Sequence, residues 1–363
     1  MSVIENSRKN NFDFLRLVFA AGVIITHAYP LTASQECDWL CKMSHGQYSF
    51  SWIAVRGFFV ISGYLIFQSL QRSRNLLDFY WKRVLRLYPA LIVVLTLTIA
   101  LGPLVYKGEI PYWKNEAVKT YFTNNLGLYR IQYAIPGIFE HNPHPFAING
   151  SLWTIAFEFT MYIAVSAFFF IKNKRNLLIP ILAVIYLILA KLDTVNFEEI
   201  QKWNYPILDW YLIELGVYFA AGSLLAVLGL ERLPIAYLTG ILLVSLSVFI
   251  YMTSRPGFLY ASVSMLPLIV LCASLIPVKG VSTITKYIGD LSYGLYIYGF
   301  PVQQTLVYFF KPGANTLIIS SLLVSAVFAY LSWHWIEKPA LKLKNLSKFI
   351  GKKKPIAEQT SLH

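Results

Sequence analysis

Apolar runs long enough to cross a lipid bilayer recur along almost the whole chain, separated by short polar stretches. An α-helix rises about 1.5 Å per residue, so about 20 mainly apolar residues span the hydrocarbon core. Ten runs meet that need: 12–31, 49–70, 84–105, 150–171, 177–192, 205–228, 234–252, 258–277, 286–310 and 315–337. The fifth is short, and the ninth is interrupted by Gly299 and Pro301. The pattern predicts an all-α integral membrane protein, a bundle of about ten transmembrane helices. No internal repeat is apparent, which argues against transporter folds built from duplicated halves.

Composition agrees. Of 363 residues, 56% are hydrophobic and 13% charged, against roughly 25% charged in soluble domains. The net charge of +13 would point to nucleic acid in a soluble protein, but its distribution gives another reading. With the N-terminus inside, 21 of the 31 lysines and arginines fall on the cytoplasmic side and nine outside, while Arg56 lies within a span. That asymmetry predicts both termini in the cytoplasm, with membrane lipids rather than nucleic acid as partners. Residues 1–340 then form one membrane domain, and 341–363 a basic tail beside the anionic cytoplasmic leaflet. A cleaved signal peptide over 1–33, ending in "PLTAS", is the competing reading of the first run. Nine further spans favour an uncleaved first helix.

Ionisable residues at membrane depth are costly and therefore informative. In "RLVFAAGVIITHAYP" Arg16 and His27 are eleven residues apart. That is three helical turns plus about 20°, so they share a face and are separated by about 16 Å along the axis. Arg16 falls at the cytoplasmic boundary, with Asp13 near the same stripe, and His27 falls near mid-membrane. The second run carries Arg56, able to pair with a carboxylate in another span, and then Ser62-Gly63-Tyr64, whose small residues also suit a helix contact face. Glu158 lies about 12 Å below the outer surface in the fourth run, and Glu214 lies in the sixth. Between runs two and three, Arg72, Arg74, Lys82, Arg83 and Arg86 cluster. Arg83 and Arg86 are i,i+3 on a helix, and neighbouring guanidinium forks suit phosphate oxygens. No metal-ligand spacing is present: His141 and His144 lack acidic or cysteine companions.

These motifs, taken together and in order, resemble the integral-membrane acyltransferase-3 family: Arg16-x10-His27, "FFVISGYL" (58–65), Arg83-x-x-Arg86-x-x-Pro89, "SLWTIAFEF" (151–159), "SYGLYIYGFP" (292–301) and "WIEKP" (335–339). Stand-alone bacterial O-acetyltransferases that decorate O-antigen, lipopolysaccharide, capsule or exopolysaccharide are closest in style. The resemblance implies ten membrane helices, a place in the bacterial inner membrane, and acetyl-CoA as the acyl-donor substrate, with no permanently bound cofactor. Two departures stand out. Many members carry a histidine near the position of Gly299, and the C-terminal extracytoplasmic hydrolase-like domain of some members is not expected here.

The resemblance and the residues combine into one expectation. Arg83, Arg86 and one of Arg72 or Arg74 hold donor phosphates, Arg16 holds another phosphate or pairs with Asp13, and Ser62, Gly63 and Tyr64 belong to the donor site. His27 is the general base toward a hydroxyl of a polymeric or lipid-linked saccharide, since an unperturbed imidazole pKa of about 6.5 suits proton transfer at neutral pH. Glu158 orients the imidazole or contacts the acceptor, and Arg56, Ser62 or Tyr64 stabilises oxyanion charge. The segment 106–149, rich in Tyr, Trp, Asn and His, reads either as an acceptor surface or as an interfacial aromatic belt. Cys37 and Cys41 share an outer loop, where they can form a disulfide. The alternatives are a lipid-linked-saccharide flippase, or the same chemistry with a succinyl group or another acceptor.

Overall fold

A computed structural model describes residues 10–145, 147–194 and 209–345; among these, helices predominate and no strand is present. The long helices are α1 (Phe12–Leu31), α3 (Phe50–Arg72), α4 (Leu76–Leu101), α6 (Leu152–Ser166), α7 (Arg175–Leu192), α8 (Trp210–Leu228), α9 (Ile235–Met252), α10 (Phe258–Leu275), α12 (Ser292–Phe310) and α13 (Ala314–Ser332). Shorter ones connect them: α2 (Trp39–Met43), α5 (Glu116–Leu126), α11 (Val281–Ile288) and, after a π-helical turn at Trp333–Glu337, α14 (Lys338–Lys342).

Nine of the helical segments among the described residues are long and apolar enough to cross a membrane. The expected ninth span forms a helix, α12, but it is not one of these nine, because its sequence is more polar than theirs. Tyr293, Tyr296, Gln303 and Gln304 on it are buried against protein rather than exposed to lipid. Nor is α12 broken at Gly299 and Pro301: the helix runs through both. Proline lacks an N–H and so frees the carbonyl four residues earlier, and the Asn149 side chain donates to that carbonyl, Ile297, at 3.0 Å. The third span begins eight residues earlier than its apolar run, because Asn75 caps α4 by accepting from Asp78 N–H at 2.7 Å. Lys82, Arg83 and Arg86 therefore lie on the membrane helix itself. The expected start of the sixth span, and the basic tail from residue 346 onward, lie outside the described residues.

α1 is central, packed against α3, α12 and α13. α3 makes its closest approach to α8. A Cβ on Gly63 would collide with the Phe219 carbonyl oxygen, and one on Gly222 with the Val60 carbonyl oxygen. Small residues let the two backbones touch, the arrangement by which helices pack in lipid. Gly63 thus serves helix packing and faces α8, which corrects the expectation that it contacts donor. At the His27 end of the bundle, Cys37 and Cys41 form a disulfide, a pairing that the sequence left open. Between them Asp38 accepts from Thr26 Oγ1 (2.6 Å), Cys41 N–H (2.9 Å) and Phe50 N–H (3.2 Å), joining α1, α2 and α3.

Candidate active site

Asp290 organises one end of the site. It lies in the corner between α11 and α12, after Gly289, whose backbone has a φ of +93° and whose Cα leaves no room for a side chain against Trp333. Its Oδ1 accepts from the Ser292 hydroxyl at 2.6 Å, and its Oδ2 meets Arg86 at 2.6 Å and Arg16 at 3.5 Å. Burial alone would raise this carboxyl's pKa, but the two guanidinium groups and the Ser292 bonds outweigh it and hold the value at about 2. Arg16 therefore pairs with Asp290 rather than with Asp13. Glu337, also buried, accepts from Ser332 at 2.9 Å.

Arg83, three residues before Arg86, points elsewhere. Its guanidinium lies over Phe79 and Tyr162 and donates to Ser69 at 3.3 Å, while its Nε is buried without a partner. The two arginines are thus neighbours on α4 with separate anchors. Arg72 and Arg74 are exposed near the α3–α4 turn.

Next to Arg16 a narrow cavity of about 40 Å³ is lined by Ser62, Thr154, Glu158, Tyr293 and Tyr296 among others. Glu158 accepts from Ser62 and from Tyr162, the latter at 2.5 Å. It belongs to this cavity, and no hydrogen bond links it to His27, so the expectation that it orients the imidazole is corrected. Tyr64 donates to Glu231 at 2.6 Å. Arg56 pairs with Glu214 on α8, donates to the Trp52 carbonyl at 3.2 Å and stacks 3.8 Å above the Trp52 ring. A carboxylate partner for Arg56 was foreseeable from the cost of an unpaired charge in lipid. A catalytic place for it was not borne out: α3 turns it toward α8, away from the cavity.

His27 stands three turns along α1 from Arg16, half-buried, its ring edge-on to Phe300 at 5.1 Å. It makes no hydrogen bond to the described residues, which leaves both ring nitrogens available. His144, on the loop before α6, approaches the same Phe300 ring at 6.3 Å. Burial lowers the His144 pKa, so this imidazole is neutral at pH 7.

A cationic cluster at one end of α1 and an unpartnered histidine at the other can bind a phosphate-bearing donor and move a proton. A profile described as an acyltransferase domain, of the acyltransferase-3 family, matches residues 9–334. The chain belongs to that family. This acyltransferase is 30% identical to an "O-acetyl transferase" of Shigella phage Sf6, over 91% of its own length and 96% of the relative's. It is 26% identical to "Nodulation protein 10" of Rhizobium leguminosarum bv. viciae, over 94% and 95% of the two chains. No solved structure matches significantly.

Asp290 and Glu337 were not singled out from sequence. The signal for Asp290 was present as Gly-Asp-x-Ser at a helix start, a capping pattern. For Glu337 it was a carboxylate closing an apolar run.

Proposed function

We propose that the protein is an O-acetyltransferase of the bacterial inner membrane, moving an acetyl group from acetyl-CoA on the cytoplasmic side to a hydroxyl of a surface polysaccharide or its lipid-linked precursor on the outer side. The observation that carries this reading is α1 itself. It bears Arg16 in the arginine–Asp290 cluster at one end and His27, with free ring nitrogens, about 16 Å further along. Arg86 and Arg83, with Arg16, supply guanidinium groups for the donor's phosphates, and Arg72 lies exposed at the mouth. The acetyl-bearing arm then passes the cavity beside Ser62 and Glu158, which widens to admit it.

At His27 the imidazole accepts the proton of the acceptor hydroxyl as its oxygen attacks the thioester carbonyl carbon. The tetrahedral centre collapses, the C–S bond breaks, and the imidazolium returns the proton to the coenzyme A thiolate. An O-acetyl ester and free coenzyme A result. The excess of basic residues on the α3–α4 side supports the assigned orientation, and the name of the phage relative supports an acetyl group.

The test uses membranes carrying wild type or His27→Ala at matched levels, supplied with acetyl-labelled acetyl-CoA. Label should enter surface polysaccharide or its lipid-linked precursor with wild type and fall at least a hundredfold with His27→Ala, as expected for loss of a general base. Equal incorporation by the two would refute the role of His27.

A further inference from the structure

The outer loop brings a second histidine to the same place as His27, and α12 holds both by its residues 299–304. A Cβ on Gly299 would come within 2.8 Å of Ile24 Cγ1, so α12 lies against α1 one turn below His27. Gln303, fully buried, donates to the Ile24 carbonyl at 2.8 Å, and its Oε1 has no partner. Gln304, also fully buried, donates to the carbonyls of His144 (2.7 Å) and Ala147 (2.6 Å), and its own Oε1 accepts from Asn142 at 2.7 Å. The Phe300 ring meets both imidazoles in T-shaped contacts, His27 at 5.1 Å and His144 at 6.3 Å.

We infer that His27 and His144 line one acceptor pocket, in which His144 holds a second hydroxyl of the molecule whose first hydroxyl is acetylated at His27. The inference rests on the acetyl-transfer reading above and narrows its acceptor to a compound with neighbouring hydroxyls, the chemistry of a sugar ring rather than of a lone alcohol. Each imidazole offers one donor and one acceptor when neutral. Two imidazoles gathered on one buried ring suit two hydroxyls of a rigid sugar ring better than one hydroxyl on a flexible chain. The backbone of 142–147 is fastened through main-chain carbonyls and Asn142, so the His144 side chain carries none of the bonds to Gln304. Replacing it alters the pocket and spares those fastenings.

The experiment uses full-length protein in lipid nanodiscs, with the saccharide fraction of the host envelope as acceptor probe. With His144→Ala, the half-saturating saccharide concentration should rise at least tenfold while that for acetyl-CoA moves less than twofold. His144→Asn, which keeps a hydrogen-bonding side chain, should recover part of the loss. Independently, wild-type protein is treated with diethylpyrocarbonate and each histidine is read by mass spectrometry, with and without the saccharide. The saccharide should protect His27 and His144 together. Saturation of His144→Ala at wild-type saccharide concentrations, or protection of His27 with His144 left reactive, would overturn the shared pocket. Protection is read without turnover, so a wild type that fails to transfer acetyl would strike the reaction proposed above, while co-protection would still decide the pocket.

Discussion

Neutralising Asp290 probes the cationic end of the site directly. Asp290→Asn preserves shape and a bond to Ser292 but removes the charge that faces Arg86 at 2.6 Å and Arg16 at 3.5 Å. The carboxyl sits at about 2 against an ordinary 3.8, a shift equivalent to about 2.5 kcal/mol at neutral pH. Breaking a buried ion pair from one side costs about 3–5 kcal/mol, because the other charge is left unpaired. A loss of about 2–5 kcal/mol is therefore expected, visible as a lower midpoint of thermal unfolding in detergent. Its pH dependence has a defined sign. The folded value lies below the unfolded one, so the contribution is complete above about pH 4 and fades as pH falls toward 2. Wild type and variant should thus differ by a constant amount between neutral pH and pH 5. The variant also offers two uncompensated guanidinium groups to an anionic ligand. Acetyl-CoA should therefore raise its midpoint more than it raises that of wild type, by linkage to a site now short of negative charge. Equal stability of the two proteins, or a smaller ligand-induced shift in the variant, would refute the reasoning.

The α3–α8 crossing gives a steric prediction. Gly63→Ala must push the Phe219 backbone aside, and overpacking of this kind costs about 1–3 kcal/mol; an unfolding midpoint equal to wild type would contradict the close approach. Asp193, at the end of α7, is a buried carboxyl raised to about 6 by burial first and by the charge of Glu214 second, with Arg56 opposing. Its folded pKa exceeds the unfolded one, so stability should fall as pH rises from about 4 to about 6 and then level off. Asp193→Asn should remove that slope and stabilise the protein at pH 7 by up to about 3 kcal/mol; an unchanged slope would count against the assignment.

Much of the fold was legible because membrane helices announce themselves by local composition. The shared face of Arg16 and His27 followed from helical period alone, and the need of Arg56 for a carboxylate followed from the cost of a lone charge in lipid. What stayed hidden were pairings across long stretches of chain. Asp290 meets Arg86 across 204 residues and Arg16 across 274, and nothing in its own neighbourhood specifies either partner. Glu158 and Arg56 were placed by depth, yet depth does not fix the direction in which a side chain leaves its helix. Gly63 looked like part of a donor motif, and its real neighbour was another glycine-bearing helix far along the sequence. The ninth apolar run was foreseen as a span and forms the helix α12, although its tyrosines and glutamines make it less apolar than the nine segments that meet the length and hydropathy of a membrane span.

The small cavity beside Arg16 has an electrical consequence. An enzyme that, as proposed above, takes its donor from one face of a membrane and serves an acceptor on the other must do so without breaching the barrier that stores the cell's proton gradient. At about 40 Å³ the cavity holds about three water molecules, too few for a continuous wire of water across a hydrocarbon core about 30 Å thick. Its lining carries the Arg16 guanidinium, whose positive potential repels hydronium. On the reaction proposed above, a donor arm entering this cavity fills the space that it opens. The residues proposed to guide the donor, Arg16, Ser62 and Glu158, are thus also the ones that line the space where water would have to thread.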